Sequence, residues 1–396
     1  MTRLWDKGTP LDARVLAYTA GDDATLDNRL VQYDIRASIA HAEMLGQRGL
    51  LSPAELAAIR DALIRIGEEH AAGGWTITLE QEDCQTAIEN RLTERIGATG
   101  GRLHAGRSRN DQVLAALRLY LRDAAHALQA GAVAVADALD ALAARDGSIE
   151  LPGYTHMQQA MPSSVALWAL GFAAEVRDDA EGLRQAQRRI AKNPLGSAAG
   201  YGTPNLDVSR DATTRLLGFA ETHEPVTAVQ LSRGKAEAHL LFEITLLTQD
   251  MGRLASDLLL FYTQEFGFVT LPAGFTTGSS IMPQKRNPDV FELMRGRSAV
   301  AQAALHEVLG ITQKLTSGYH RDLQLIKPPL FRGIDSCLQT LDILPSALDG
   351  VRFNPANIRL QPDIHAAAAA NALVTRENVP FREAYRRVAE QLKEPK

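Results

Sequence analysis

The chain has 396 residues and a formal net charge of −5, with 45% hydrophobic and 22% charged residues. That balance fits a soluble globular protein with ample core, and the mild acidity without any Lys/Arg run argues against a nucleic-acid partner. Two distant cysteines, Cys84 and Cys337, in no metal-type spacing exclude a disulfide framework and point to a reducing cytoplasm.

Residues 1–12 hold no apolar signal-peptide core. The segment Trp75-Thr76-Ile77-Thr78-Leu79 reads as a short strand. Elsewhere helical periodicity dominates. Over residues 111–145, Val113, Leu114, Leu117, Leu121, Ala125 and Leu128, then Val135, Leu139 and Leu142, recur at i, i+3, i+4, i+7 spacing. Asp137 and Asp140 interrupt the Ala-rich stretch 130–144, which argues against a membrane span. Further helical runs cover 163–190, about 235–266 and 288–315. At close to 30 residues each spans roughly 45 Å as straight helix. Such helices need neighbours alongside, so the expected fold is all-α. Apolar residues also spread round each helix, as in residues 240–247, which points to helices shared between subunits. Divisions near 110 and 350 give an N-terminal helical domain (1–110), a long-helix bundle (111–350) and a short helical tail (351–396).

The polar clusters lie between these helices. The first is His104-Ala-Gly-Arg107-Ser108-Arg109-Asn110-Asp111, a set of donors before a helix N-terminus that suits a carboxylate. Taken singly it reads better as a capped helix start, with Asn110 or Asp111 as the cap. Next comes Tyr154-Thr155-His156, in which His156 can act as acid or base near neutral pH and Thr155 can donate to a substrate oxygen. A lone loop histidine is more often bonded to backbone, and none of the histidines has metal-ligand spacing.

The third cluster is Gly278-Ser279-Ser280-Ile281-Met282-Pro283-Gln284-Lys285-Arg286-Asn287-Pro288. It sets two hydroxyls beside cations at a helix start, with Asn287 as N-cap and Pro288 first in the helix. Such surroundings can draw a proton from carbon next to a carboxylate and hold the resulting dianion. Glu292 follows at a depth where it can orient a histidine from another loop. The last cluster, residues 317–327, offers Tyr319, Gln324 and Lys327 as substrate contacts.

Together these residues resemble the fumarase/aspartase superfamily and, within it, the argininosuccinate lyase family. Residues 278–288 match the superfamily's signature loop. The narrower likeness rests on Gly106-Arg-Ser-Arg-Asn-Asp-Gln-Val113 and Pro152-Gly-Tyr-Thr-His156, and it extends from Leu26-Asp27-Asn28-Arg29-Leu30 to Val379-Pro-Phe-Arg-Glu-Ala384.

The resemblance implies a three-domain helical subunit, a homotetramer with active sites shared between subunits, and cofactor-free anti β-elimination of argininosuccinate to arginine and fumarate. It implies Ser279 as base, Lys285 and Asn287 on the carboxylate that gathers charge, and His156 paired with Glu292, or Thr155, on the departing nitrogen. Ser108, Arg109, Asn110, Tyr319, Gln324 and Lys327 match substrate-binding positions. No cofactor, metal, nucleic acid or membrane is expected.

Some positions depart from the family pattern. Gln85 replaces a histidine expected at the site's edge, and Gln159 and Met161 replace an Arg and a Gln. Leu231-Ser232-Arg233-Gly234-Lys235 stands where Ser-Asp-Arg-Asp is common, and the chain stops roughly 50 residues early. These changes keep two further readings open: a fumarate-releasing lyase for another or acylated succinyl conjugate, and a weakly active structural homo-oligomer.

Overall fold

The structure, a computed structural model, describes residues 11–392, so the start of the stretch that lacks a signal-peptide core lies outside the described residues. Five helices dominate: Arg109–Asp146, Val165–Ile190, Lys235–Tyr262, Asp289–Thr312 and Lys327–Gly350. Four follow the periodic runs closely. The fifth was hidden by Pro328, Pro329 and Pro345. The first two sit in the opening turn, where proline's missing N–H costs nothing.

The chain divides into two compact units. Met1–Gln129, Gly182–Thr245 and Val300–Ser336 form the first; Ala130–Glu181, Leu246–Ala299 and Cys337–Lys396 form the second.

In the first unit, Val31–Gln47, Pro53–Ala71 and Cys84–Ile96 pack through Ile35, Leu45, Ile59, Leu63, Ile88 and Leu92, all buried. Each such side chain contributes about 1.5–3 kcal/mol of burial. A capping box starts the second of these helices. The Ser52 hydroxyl accepts the Glu55 N–H, and the Glu55 carboxylate accepts the Ser52 N–H at 2.8 Å. The Trp75–Leu79 expectation fails. Trp75 and Ile77 alternate inward as a strand would, but no ladder forms there among the described residues. Side chains take the place of a partner strand: the Trp75 indole donates to the Ile66 carbonyl and Asn28 Oδ1 accepts the Ile77 N–H.

The second unit holds the principal strand pair, where only a connecting loop was expected. Strands β1 (Glu150–Thr155) and β2 (Gln158–Ser164) form an antiparallel hairpin. An aromatic cluster anchors this unit, with Trp168 about 5.7 and 5.8 Å from the rings of Phe261 and Phe353. The Trp168 indole donates to Asp257 at 2.9 Å. The Arg109–Asp146 helix is long and apolar enough to cross a membrane by composition. In this fold, however, Leu114, Leu117, Leu121, Leu128, Leu139 and Leu142 are buried in protein, and Asp137 and Asp140 pair with Arg177.

Candidate active site

The Ser279 loop belongs to the second unit and is fastened at its root. The Thr277 N–H donates to the Asn287 carbonyl at 3.0 Å, and the Asn287 N–H returns to the Thr277 carbonyl at 2.9 Å. The Asn287 amide donates to the Gly278 carbonyl at 3.1 Å, and the Thr277 hydroxyl donates to Asp289. The helix begins at Asp289, so Asn287 is not its cap and Pro288 is not its first residue. The bridge to Thr277 keeps Asn287 extended, and Pro288 supplies the carbonyl that accepts the Phe291 N–H at 3.0 Å.

Within the loop, Ser279 is half-buried. Its Oγ accepts the Ile281 N–H at 3.4 Å and the Met282 N–H at 3.2 Å. Backbone donors aimed at an oxygen favour its anionic form. Lys285 and Arg286 stand exposed on the same excursion and raise the local positive potential. Glu292 is exposed on the first turn after it.

Thr155 and His156 sit at the tip of the hairpin. Thr155 pairs with Gln158, leaving His156 and Met157 as a two-residue turn with φ of 53° and 59°. Two successive residues at positive φ are the mark of a type I′ turn, which matches the strands' twist. His156 is exposed and makes no hydrogen bond to Glu292 among the described residues. The hairpin is fixed from behind. Tyr154 packs edge-on against Phe266 with centroids 6.4 Å apart, and Gln159 both accepts the Gln361 N–H and donates to the Arg359 carbonyl. Gln159 therefore serves the fold.

The first unit gathers the remaining candidates. Ser108 precedes the Arg109–Asp146 helix and caps it: its hydroxyl accepts the Asn110 N–H at 3.3 Å, and its own N–H donates to Asp111 at 3.0 Å. Neither Asn110 nor Asp111 is the cap. The second Asp111 oxygen accepts the N–H groups of Gly196 and Ala198, both at 2.9 Å. Burial pushes this carboxyl up to about 6 in spite of those donors. Gly106 has φ of +68°, and a Cβ there would lie 2.7 Å from Val208, so only glycine fits the turn that delivers Ser108.

Arg109, Tyr319, Gln324 and Lys327 come together around buried carboxylates that the sequence did not single out. Arg109 Nε reaches Asp83 at 2.9 Å and its Nη1 lies 3.5 Å from Glu82, while Tyr319 is close enough to Arg109 to act on its charge. Lys327 is buried, with its ammonium 2.6 Å from Asp27 and 2.8 Å from Asp23. Burial alone would lower the pKa of this ammonium, but Asp27 and Asp23 outweigh it and hold it above its ordinary value. Asp23 is pushed up to about 7 by burial against the pull of Lys327. Asp27 is raised as well, again chiefly by burial. The Gln324 amide donates to the carbonyls of Thr19 and Ala20, both at 3.0 Å. Asp27 lies within the Leu26–Leu30 stretch, and Glu82-Asp83 stand just before a helix. Those placements were the available signals.

Gln85 is fully buried in the first unit, donating to Asp34 at 2.9 Å, and Asp34 also accepts from Gln112 and Ser38. An amide suits this place because it donates to the carboxylate without adding a charge to the core.

A helical chain of this design, with a serine loop opening onto a long helix, has the architecture of the fumarase/aspartase-like lyases. Residues 10–303 match the lyase family. The argininosuccinate lyase of Sorangium cellulosum is 47% identical over 98% of this chain and 90% of its own length. That of Xylella fastidiosa is 43% identical over 98% and 87%. Among solved structures, EDDS lyase in complex with formate superposes with a TM-score of 0.82 at 26% identity, covering 96% of this chain and 76% of that one. The class II fumarase of Schistosoma mansoni, at 17% identity and a TM-score of 0.78 over 98% and 91%, shares the fold. The chain belongs to the lyase family, and within it to the argininosuccinate lyases.

Proposed function

We propose that this chain cleaves argininosuccinate to arginine and fumarate in the cytoplasm, as a step of arginine biosynthesis. Ser279, as the alkoxide, takes the Cβ proton beside a substrate carboxylate. The electrons of that C–H bond pass first onto the carboxylate, which becomes dianionic. They then return to form the fumarate double bond as the C–N bond breaks, while the departing guanidinium nitrogen takes a proton from His156 or Thr155. An alkoxide is poorly stabilised in bulk water, so the loop closes over the substrate before the proton moves. The N–H groups of Ile281 and Met282 then hold the charge on Oγ. Lys285 and Asn287 meet the carboxylate that becomes dianionic, and Glu292 orients His156. Ser108, Arg109, Asn110, Tyr319, Gln324 and Lys327 form the substrate-binding side.

The observation that carries the reading is the full-length identity to argininosuccinate lyases. The buried carboxylates Asp23, Asp27, Glu82 and Asp83 favour a cationic group such as a guanidinium near Arg109 and Lys327. Self-association into a homotetramer with shared sites is supported by apolar side chains left exposed on the long helices, among them Leu167, Leu170, Phe242 and Leu293. In that assembly residues 1–110, 111–350 and 351–396 act as the N-terminal, bundle and tail domains.

Release of fumarate, followed by its near-ultraviolet absorbance, tests the reading. Turnover of argininosuccinate supports it. Turnover only of an acylated or other succinyl conjugate would move the assignment to a related lyase, and no turnover of any conjugate would leave a structural homo-oligomer.

A further inference from the structure

We propose that a cationic recess in the first unit, lined by none of the residues assigned to the elimination, binds a small multivalent oxyanion of the phosphate or polycarboxylate class. The recess is a cavity of about 280 Å³ whose polar lining is Arg118, Arg189, Lys192, Ser232, Lys235 and His223. An adjoining recess of about 340 Å³ shares Arg189 and Lys192 and adds Arg188 and Glu221. Together they accommodate a compact anion larger than a single halide.

The charges here are not balanced within the chain. Arg118 is 1% exposed, and it donates to the Arg189 carbonyl and, at 2.8 Å, to the Ser232 hydroxyl; its Nε has no partner. Three carboxylates stand near. Glu221 is engaged by Lys192 at 2.7 Å, Glu243 lies 3.3 Å from His239 of the adjoining recess, and Glu237 is buried within electrostatic reach of Arg118 without a hydrogen bond to either of its oxygens. Cations still outnumber them, and a recess with low-dielectric walls concentrates the excess field.

His223 reports that field. Its pKa is depressed to about 4, first by burial and then by Arg118, Lys192 and Arg210, with Glu221 pulling the other way. Its Nδ1 is buried and unpartnered. An oxyanion seated among these groups offers Nδ1 an acceptor and reverses the direction of the shift.

Leu231, Ser232 and Lys235 line the recess, and they fall in one short segment at the start of the Lys235–Tyr262 helix. Gly234, with φ of +84°, lets the backbone turn there, since a Cβ would stand 2.6 Å from Thr312.

The test is calorimetric titration of the full chain at low chloride, with inorganic phosphate in one arm and citrate in the other. The imidazole resonance of His223 is followed in parallel. Saturable binding of either probe is expected, with the His223 pKa rising by about one unit or more. The arm that binds more tightly identifies the ligand class. Lys192→Gln with Lys235→Gln should weaken binding roughly tenfold or more, and Glu221→Gln, which frees Lys192, should tighten it. A gain in affinity for Glu221→Gln is not what structural damage produces. The proposal is overturned if neither probe binds saturably, or if affinity ignores all three substitutions.

Discussion

The backbone N–H of Met282 donates to Oγ of Ser279 across 3.2 Å. With the Ile281 N–H beside it, the serine oxygen rests where negative charge is already provided for. Ser279→Ala removes the oxygen and leaves the root bridge between Thr277 and Asn287 intact. We expect kcat for fumarate release to fall by about 10³-fold or more, with the unfolding midpoint shifted by less than about 0.5 kcal/mol in stability. An unchanged kcat would remove Ser279 from the base role.

The turn at His156 separates chemistry from folding. At φ of 53° a side chain with a Cβ is strained by about 1 kcal/mol, and glycine is not. His156→Gly should therefore unfold at the same or a higher temperature while kcat drops by about 10²- to 10⁴-fold. If kcat holds, His156 takes no part in proton delivery.

Sharing of sites between subunits gives a complementation experiment. Asparagine tolerates the left-handed region, so His156→Asn should preserve the turn. Mixing inactive His156→Asn with inactive Ser279→Ala chains should return part of the activity once subunit exchange is confirmed by mass spectrometry. Mixed oligomers that stay inactive would contradict the shared-site arrangement.

Lys327 holds two buried carboxylates in place, Asp23 and Asp27. Lys327→Met leaves both uncompensated and should cost about 3–5 kcal/mol in denaturant unfolding. Adding Asp27→Asn to that variant should recover part of the loss. A midpoint indifferent to Lys327→Met would show that the cluster contributes little to stability.

Asp23 also predicts a pH signature. Its folded pKa of about 7 lies above the ordinary carboxyl value of about 3.9, so the folded state binds the proton more tightly. The associated stability is complete below about pH 4 and is lost as pH rises towards 7. Asp23→Asn cannot ionise. Its stability relative to the parent chain should climb across that window, by at most about 1.4 kcal/mol per pH unit. A flat difference between the two, measured by denaturant titration at several pH values, would refute the assignment.

Much of this was legible because long helices advertise themselves. The 111–145, 163–190 and 235–266 runs came within a few residues of the observed ends, since i, i+3, i+4 spacing survives any tertiary setting. The hairpin was not legible. Pro152 pairs with Pro162, Gly153 interrupts β1, and the turn is His156-Met157, so residues usually read as strand breakers occupy the ladder itself. The carboxylates around Lys327 were hidden for a different reason. Asp27 and Lys327 are 300 positions apart, and no local pattern announces a pairing of that range. The setting of Gln85 was hidden for the same reason, since its partner Asp34 lies 51 positions away.

The Thr277–Asn287 bridge has one more implication. A segment clamped where it leaves and rejoins the body can trade residues at its crown with little penalty to the scaffold beneath. Selection on reactivity and selection on folding thus act on different atoms of the same short stretch. Variation among Ile281, Gln284 and Arg286 should accordingly retune turnover while thermal resistance stays level.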